Sequence, residues 1–215
     1  MSLPVDASKI AEYLLKIKAV RLSIQNPFTW SAGWKSPIYC DNRLILSFPD
    51  TRKAIRDAFV ASVKSQYPEA EAIAGVATGG IAMGALVADA LDLPFIYVRP
   101  TPKSHGLKNQ IEGEIKPGQK YVVIEDLIST GNSSAAAVVA LQESGVKVIG
   151  TLAVFSYGFP KADVRFGETG TPFHTLSDLP TLLEEAAKLD YIRPEEMEVI
   201  YSWRQSPELW QPLEA

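Results

Sequence analysis

The chain has 215 residues, with 21 Lys+Arg against 25 Asp+Glu, a formal net charge of −4, 47% hydrophobic residues and one Cys. At roughly 100 to 200 residues per domain this is material for one globular α/β unit with its own core, and it excludes a fibrous or low-complexity chain. The acidic balance speaks against nucleic acid as a partner, which requires clustered cationic surface. Lone Cys40 offers no internal disulfide. Residues Met1 to Ile10 hold no apolar core of signal-peptide length and no run of about 18 apolar residues occurs, so a cytoplasmic protein without a membrane span is expected.

In chain order, residues 8–21 set Ile10, Leu14, Ile17 and Val20 at helical spacing with Ser8 as the expected N-cap. The segment from Phe28 through Trp30, Trp34, Lys35, Ser36, Pro37 and Tyr39 to Arg43 is dense in aromatics and turn formers and predicts a hairpin. A second helix is predicted from Asp50 to Tyr67. Ala72 to Ala77 reads as a buried strand, and Thr78-Gly79-Gly80 turns from it into a helix that runs through Ala90. Strands follow at Pro94–Arg99 and Tyr121–Asp126, then a helix from about Ser133 to Ser144, and the strand Val146–Phe155 closes the series. Continuous apolar strands alternating with helices imply a parallel sheet covered on both faces. The polar stretch between Arg99 and Tyr121 is long enough to be expected functional. After Gly158 helices are predicted at Asp178–Leu189 and beyond Pro194, with Trp203 and Trp210 as packing aromatics. The expected organisation is a single domain over 1–215, with an N-terminal hood in 1–45, an α/β core in 70–158 and a helical extension in 159–215.

The strongest chemical signal runs from Val122 to Ser134: a buried strand, the acids Glu125 and Asp126, then Leu127, Ile128, Ser129, Thr130, Gly131, Asn132 and Ser133 opening a helix. Turn N–H groups and the positive helix end form an anion cradle, Gly131 permits close approach, and the hydroxyls add donors. The acids suit sugar hydroxyls or a developing positive charge rather than the phosphate. A ribose phosphate satisfies both halves. No Walker lysine and no Gly-x-Gly-x-x-Gly accompanies the turn.

With these residues the sequence resembles the type I phosphoribosyltransferases. The Phe28 to Arg43 block, together with Lys103-Ser104-His105-Gly106 and Ile111-Glu112-Gly113, resembles the orotate branch of that family. The resemblance implies the family fold with a small N-terminal hood and a mobile catalytic loop, and transfer of ribose 5-phosphate from 5-phosphoribosyl diphosphate to orotate. It implies Arg99, Lys103 and His105 as catalytic, diphosphate-facing cations. Binding of the activated sugar is expected also from Thr78, Gly79, Glu125, Asp126 and the turn Leu127 to Ser133. Orotate is expected on Ser129, Ser36, Tyr39 and Cys40, with Phe28 and Tyr39 stacking on or covering the base. Mg²⁺ is expected on the substrate's diphosphate rather than on a protein ligand cluster, and the partner is a second copy whose loop reaches across. His174 receives no role.

The chain departs from some members at Ser31, Gly79 and Pro100, where they carry lysine, and beyond the last strand, where an arginine that meets orotate is replaced by Phe155 to Lys161. Lys35, Arg43 or hairpin N–H groups are then the candidates for the orotate carboxylate. Two other readings are a regulatory protein that binds the activated sugar, which leaves the Lys103/His105 loop unexplained, and a transferase of purine bases, against which the Phe28 to Arg43 block stands.

Overall fold

The structure, a computed structural model, describes residues 6–30, 33–100 and 110–212. Helix α1 (Ala7–Lys16) begins one residue before Ser8, and its cap is Asp6, whose carboxylate accepts from the Ser8 and Lys9 N–H groups at 3.0 and 3.3 Å. Its stripe Ile10, Ala11, Leu14 and Leu15 is buried. The helix stops short of the expected end, because Val20 opens a strand instead. That strand, β1 (Val20–Leu22), pairs antiparallel with β4 (Ile38–Cys40), while β2 (Phe28–Thr29) pairs with β3 (Lys35–Ser36). These short ribbons and the 3₁₀ turn Asn42–Ser47 make up the small N-terminal layer.

Helix α2 (Pro49–Gln66) starts on a proline with Asp50 in its first turn, which suits the helix N-terminus. The core elements follow: β5 (Ala72–Val76), α3 (Gly79–Leu91), β6 (Phe95–Val98), β7 (Ile111–Glu112), β8 (Lys120–Ile128), α4 (Asn132–Glu143), β9 (Lys147–Ser156), α5 (Pro160–Thr169), β10 (Phe173–Asp178), α6 (Leu179–Lys188) and α7 (Pro194–Gln205). Their strands form a six-stranded sheet in the order β10-β9-β8-β5-β6-β7, parallel except for β7.

The period-2 alternation of β8 feeds both faces of this sheet. Val122 and Ile124 join the larger core on one side, and Tyr121 and Val123 join the smaller core on the other. Close approach of α3 to the sheet requires glycine: a Cβ on Gly75 would lie 2.7 Å from the Gly80 carbonyl oxygen, and one on Gly80 would lie 2.4 Å from that of Ile124.

The sheet contradicts the expectation that it closes at Phe155. Helix α5 and strand β10 follow, and β10 pairs parallel with β9. The strand Phe-His-Thr-Leu-Ser-Asp is mostly polar because it forms an edge of the sheet, so it lacks the continuous apolar run of a central strand. Strand β8 also runs further than expected, to Ile128, which puts Glu125 and Asp126 within the sheet ladder rather than at its end. Among the described residues no helix is long and apolar enough to cross a membrane.

Candidate active site

Because β5, β6, β8 and β9 are parallel, the segments that leave their carboxyl ends collect at one edge, where open α/β sheets place ligands. Those segments are Ala77–Gly79, Arg99–Pro100, Ser129–Gly131 and Tyr157–Phe159. Gly131 sits at φ 80°, the left-handed conformation that turns the chain from β8 into α4 and exposes the first N–H groups of that helix. The Ala77–Thr78 peptide is cis at the mouth of α3.

The two acids differ in setting. Glu125 is buried; its carboxylate accepts from the Ser134 hydroxyl at 2.8 Å and from the Asp126 N–H at 2.9 Å. Burial, reinforced by the neighbouring Asp126 charge, holds the Glu125 pKa well above the ordinary glutamate range. Burial also raises Asp126, but hydrogen bonds from Glu125 and from the Leu127 N–H oppose the rise. Both carboxyl groups are thus pushed up by burial, Glu125 the further, and the two titrate as a pair. The Asp126 carboxylate lies directly over the turn into α3: a Cβ on Gly79 would sit 2.2 Å from it. The position that carries lysine in some members is thus filled by Asp126 itself. Asn42 ties the N-terminal layer to this strand end by donating from Nδ2 to the Asp126 carbonyl oxygen at 2.6 Å.

Of the clefts that border the Leu127–Ser133 segment, two collect residues expected at the site. The first, of about 330 Å³, is lined by Thr29, Trp30, Tyr39, Cys40, Leu127, Ser129 and Tyr157. Its back wall is an aromatic cluster in which Trp30 lies 5.1 Å from Tyr157 and 5.5 Å from Trp203, ring centre to ring centre. Burial pushes the Cys40 thiol up, so it faces the cleft as a neutral SH group. The second cleft, of about 200 Å³, brings Arg99 and Ala77 beside Asn132 and Ser133. Arg99 also faces Glu112 of β7, with Nη1 3.5 Å from Oε1.

The structure thus gathers Tyr39, Cys40 and Ser129 around one cleft and Arg99, Asn132 and Ser133 around the other. Thr78 and Gly79 lie at the same sheet edge. Ser36 is placed elsewhere: it is fully buried, donating to the Ile38 carbonyl oxygen at 2.7 Å and accepting from the Ile38 N–H at 3.2 Å. Phe28 does not line the cleft but packs 5.6 Å from Tyr39, with the Arg21 guanidinium over both rings. Lys103, His105 and Ser31 lie outside the described residues. Thr29, Trp30 and Tyr157 received no site role from the sequence. For Tyr157 a signal was present, since it directly follows a parallel strand at its carboxyl end.

A helix-opening turn with free N–H groups on one side and a ring-sized aromatic cleft on the other have the shape that suits a phosphorylated sugar together with a planar base. Residues 45–171 match the family model described as phosphoribosyl transferase domain. The chain is 52% identical over 202 residues to an orotate phosphoribosyltransferase of Cytophaga hutchinsonii, covering 94% of this chain and 97% of that one. It is 49% identical to the protein of the same name from Streptococcus pneumoniae, covering 95% and 98%. A crystal structure of orotate phosphoribosyltransferase from Aeropyrum pernix superimposes with a TM-score of 0.72 at 31% identity, covering 85% of this chain and 99% of that one. The chain belongs to the type I phosphoribosyltransferase family, in its orotate phosphoribosyltransferase branch.

Proposed function

We propose that the protein transfers ribose 5-phosphate from 5-phosphoribosyl diphosphate to orotate, giving orotidine 5′-monophosphate and diphosphate, a step of pyrimidine nucleotide synthesis. The observation that carries this reading is the continuity of one segment: Leu127 and Ser129 line the base-sized cleft, and Asn132 and Ser133, a few residues on, line the cleft that holds Arg99. A base and a sugar phosphate bound to that segment lie side by side.

In this reading the 5′-phosphate is received by N–H and hydroxyl groups of Thr130, Gly131, Asn132 and Ser133 at the start of α4. The Glu125/Asp126 pair accepts from the ribose hydroxyls, and its negative charge favours the positive charge that develops on the sugar as diphosphate departs. Arg99, Lys103 and His105 meet the charge on the leaving group. Tyr39, Cys40 and Ser129 bound the base, and the Trp30/Tyr157 wall stacks against it. Ser36, satisfied by Ile38, acts by shaping the hairpin. The acceptor-only Asp126 carboxylate over the Gly79 turn suits an environment in which Mg²⁺ is carried by the diphosphate with its own waters. When bound, the ion supplies charge neutralisation on the leaving group. The working form is a cytoplasmic homodimer in which each Lys103 loop serves the neighbouring subunit.

The test is the absorbance change of orotate on mixing with protein, Mg²⁺ and 5-phosphoribosyl diphosphate, with uracil, adenine and hypoxanthine followed by product chromatography. Orotate-dependent turnover is expected. Turnover of a purine instead, or tight binding of the activated sugar with no turnover, overturns the reading. Lys103→Ala is expected to lower turnover while binding of the activated sugar persists.

A further inference from the structure

We infer that Lys35, acting with Thr29, recognises the carboxylate that distinguishes orotate from uracil; this rests on the functional reading above. A cation is the strongest side-chain partner for an ionised carboxylate, yet among the described residues none of the seven that line the base cleft is cationic. The sequence leaves Lys35, Arg43 and hairpin N–H groups as alternatives, and the structure separates the two side chains. Arg43 is held by Asp41, with Nε 2.7 Å from Oδ1 and Nη2 3.0 Å from Oδ2. Lys161 is paired with Glu208 at 2.9 Å. Arg21 lies over the rings of Phe28 and Tyr39.

Lys35 is placed differently. In the β2/β3 ribbon it is the register partner of Thr29, so the two side chains share a face. Its ammonium donates to Thr29 Oγ1 at 2.9 Å, and Thr29 lines the cleft. Among the described residues Lys35 has no carboxylate partner. An ammonium has three donors, and the Thr29 hydroxyl, accepting from Lys35, keeps its own proton to donate. A carboxylate entering the cleft beside Thr29 thus meets one charged and one neutral donor, a match for its two oxygens. The backbone of Lys35 is fixed as well, because the buried Trp203 Nε1–H donates to its carbonyl oxygen at 3.2 Å.

The experiment compares binding of orotidine 5′-monophosphate with that of uridine 5′-monophosphate, which differ only in the carboxylate, by titration calorimetry on the full chain and its Lys35→Met, Lys35→Arg and Arg43→Met variants. The unsubstituted protein is expected to prefer the carboxylated nucleotide, Lys35→Met to lose about tenfold or more of that preference, and Lys35→Arg to restore most of it. The affinity for uridine 5′-monophosphate and the KM for 5-phosphoribosyl diphosphate are expected to stay unchanged in Lys35→Met, which separates recognition from loss of fold. Retention of the preference in Lys35→Met, or its loss in Arg43→Met alone, overturns the assignment to Lys35. Absence of both the preference and orotate turnover in the unsubstituted protein overturns the functional reading instead.

Discussion

The Ser134 hydroxyl donates to the Glu125 carboxylate at 2.8 Å, fastening the first turn of α4 to the strand that precedes it. Both groups are buried, so the bond joins the turn that opens α4 to the acid pair without water between them. The bond therefore couples the placement of the first turn of α4 to that of the acid pair.

Burial of Glu125 gives stability a defined pH dependence. The folded-state pKa of Glu125 is raised, chiefly by burial, so its contribution is fully present below the unfolded glutamate value of about 4.3 and is lost as pH rises through the folded value. Glu125→Gln cannot ionise. Its melting temperature relative to the unsubstituted protein is expected to climb as pH rises from about 4.3, and to level off above the folded value. A difference that stays constant from acid to alkaline pH in thermal melts contradicts the assignment.

Gly79→Ala tests the place of Asp126. The added Cβ meets the end of a side chain, at 2.2 Å, so the chain is expected to fold with little change in melting temperature while Asp126 moves. A displacement on the order of 1 Å at a positioned group lowers catalysis by up to about 10²-fold. A kcat/KM for 5-phosphoribosyl diphosphate within twofold of the original shows that the carboxylate position is not used.

Gly150 of β9 leaves room for the Tyr67 ring, whose Cζ would lie 2.2 Å from a Cβ at that position. Gly150→Ala is expected to destabilise by about 1–3 kcal/mol through overpacking, read from denaturant unfolding. Combined with Tyr67→Leu, the same alanine is expected to cost less than it does alone, a coupling measurable as a double-mutant cycle. Strictly additive effects remove the clash as the cause.

Trp203→Phe keeps an aromatic ring within the Trp30/Tyr157/Phe159 cluster but deletes the N–H that serves the Lys35 carbonyl oxygen. Leaving that acceptor unpaired is expected to cost about 1–3 kcal/mol in urea unfolding. It is also expected to loosen the ribbon that carries Lys35, raising the KM for orotate with little effect on that for the activated sugar.

Much of this was legible in the sequence where local pattern and burial agree. The strand, acid pair and turn from Val122 to Ser133 announce themselves, because a central parallel strand must be continuously apolar and its exit must turn. The end of α1 was less legible: Ile17 and Val20 continue the helical spacing, but cross-strand pairing of Val20 with Cys40 takes the chain out of the helix. Likewise α5 and β10 were missed, since one face of α5 is charged and the polar residues of β10 are tolerated at a sheet edge.

The sequence by itself determined the sheet's alternation with helices, the turn from β8 into α4 and the family, because each depends on residues that stay adjacent along the chain. Only the tertiary structure decided what meets across it. It put Asp126 over Gly79, turned Ser36 inward onto Ile38, brought Tyr157 to the wall of the base cleft and set the Lys35 ammonium on Thr29. Those relationships are set by strand register and by packing between distant segments, and residue spacing carries no record of either.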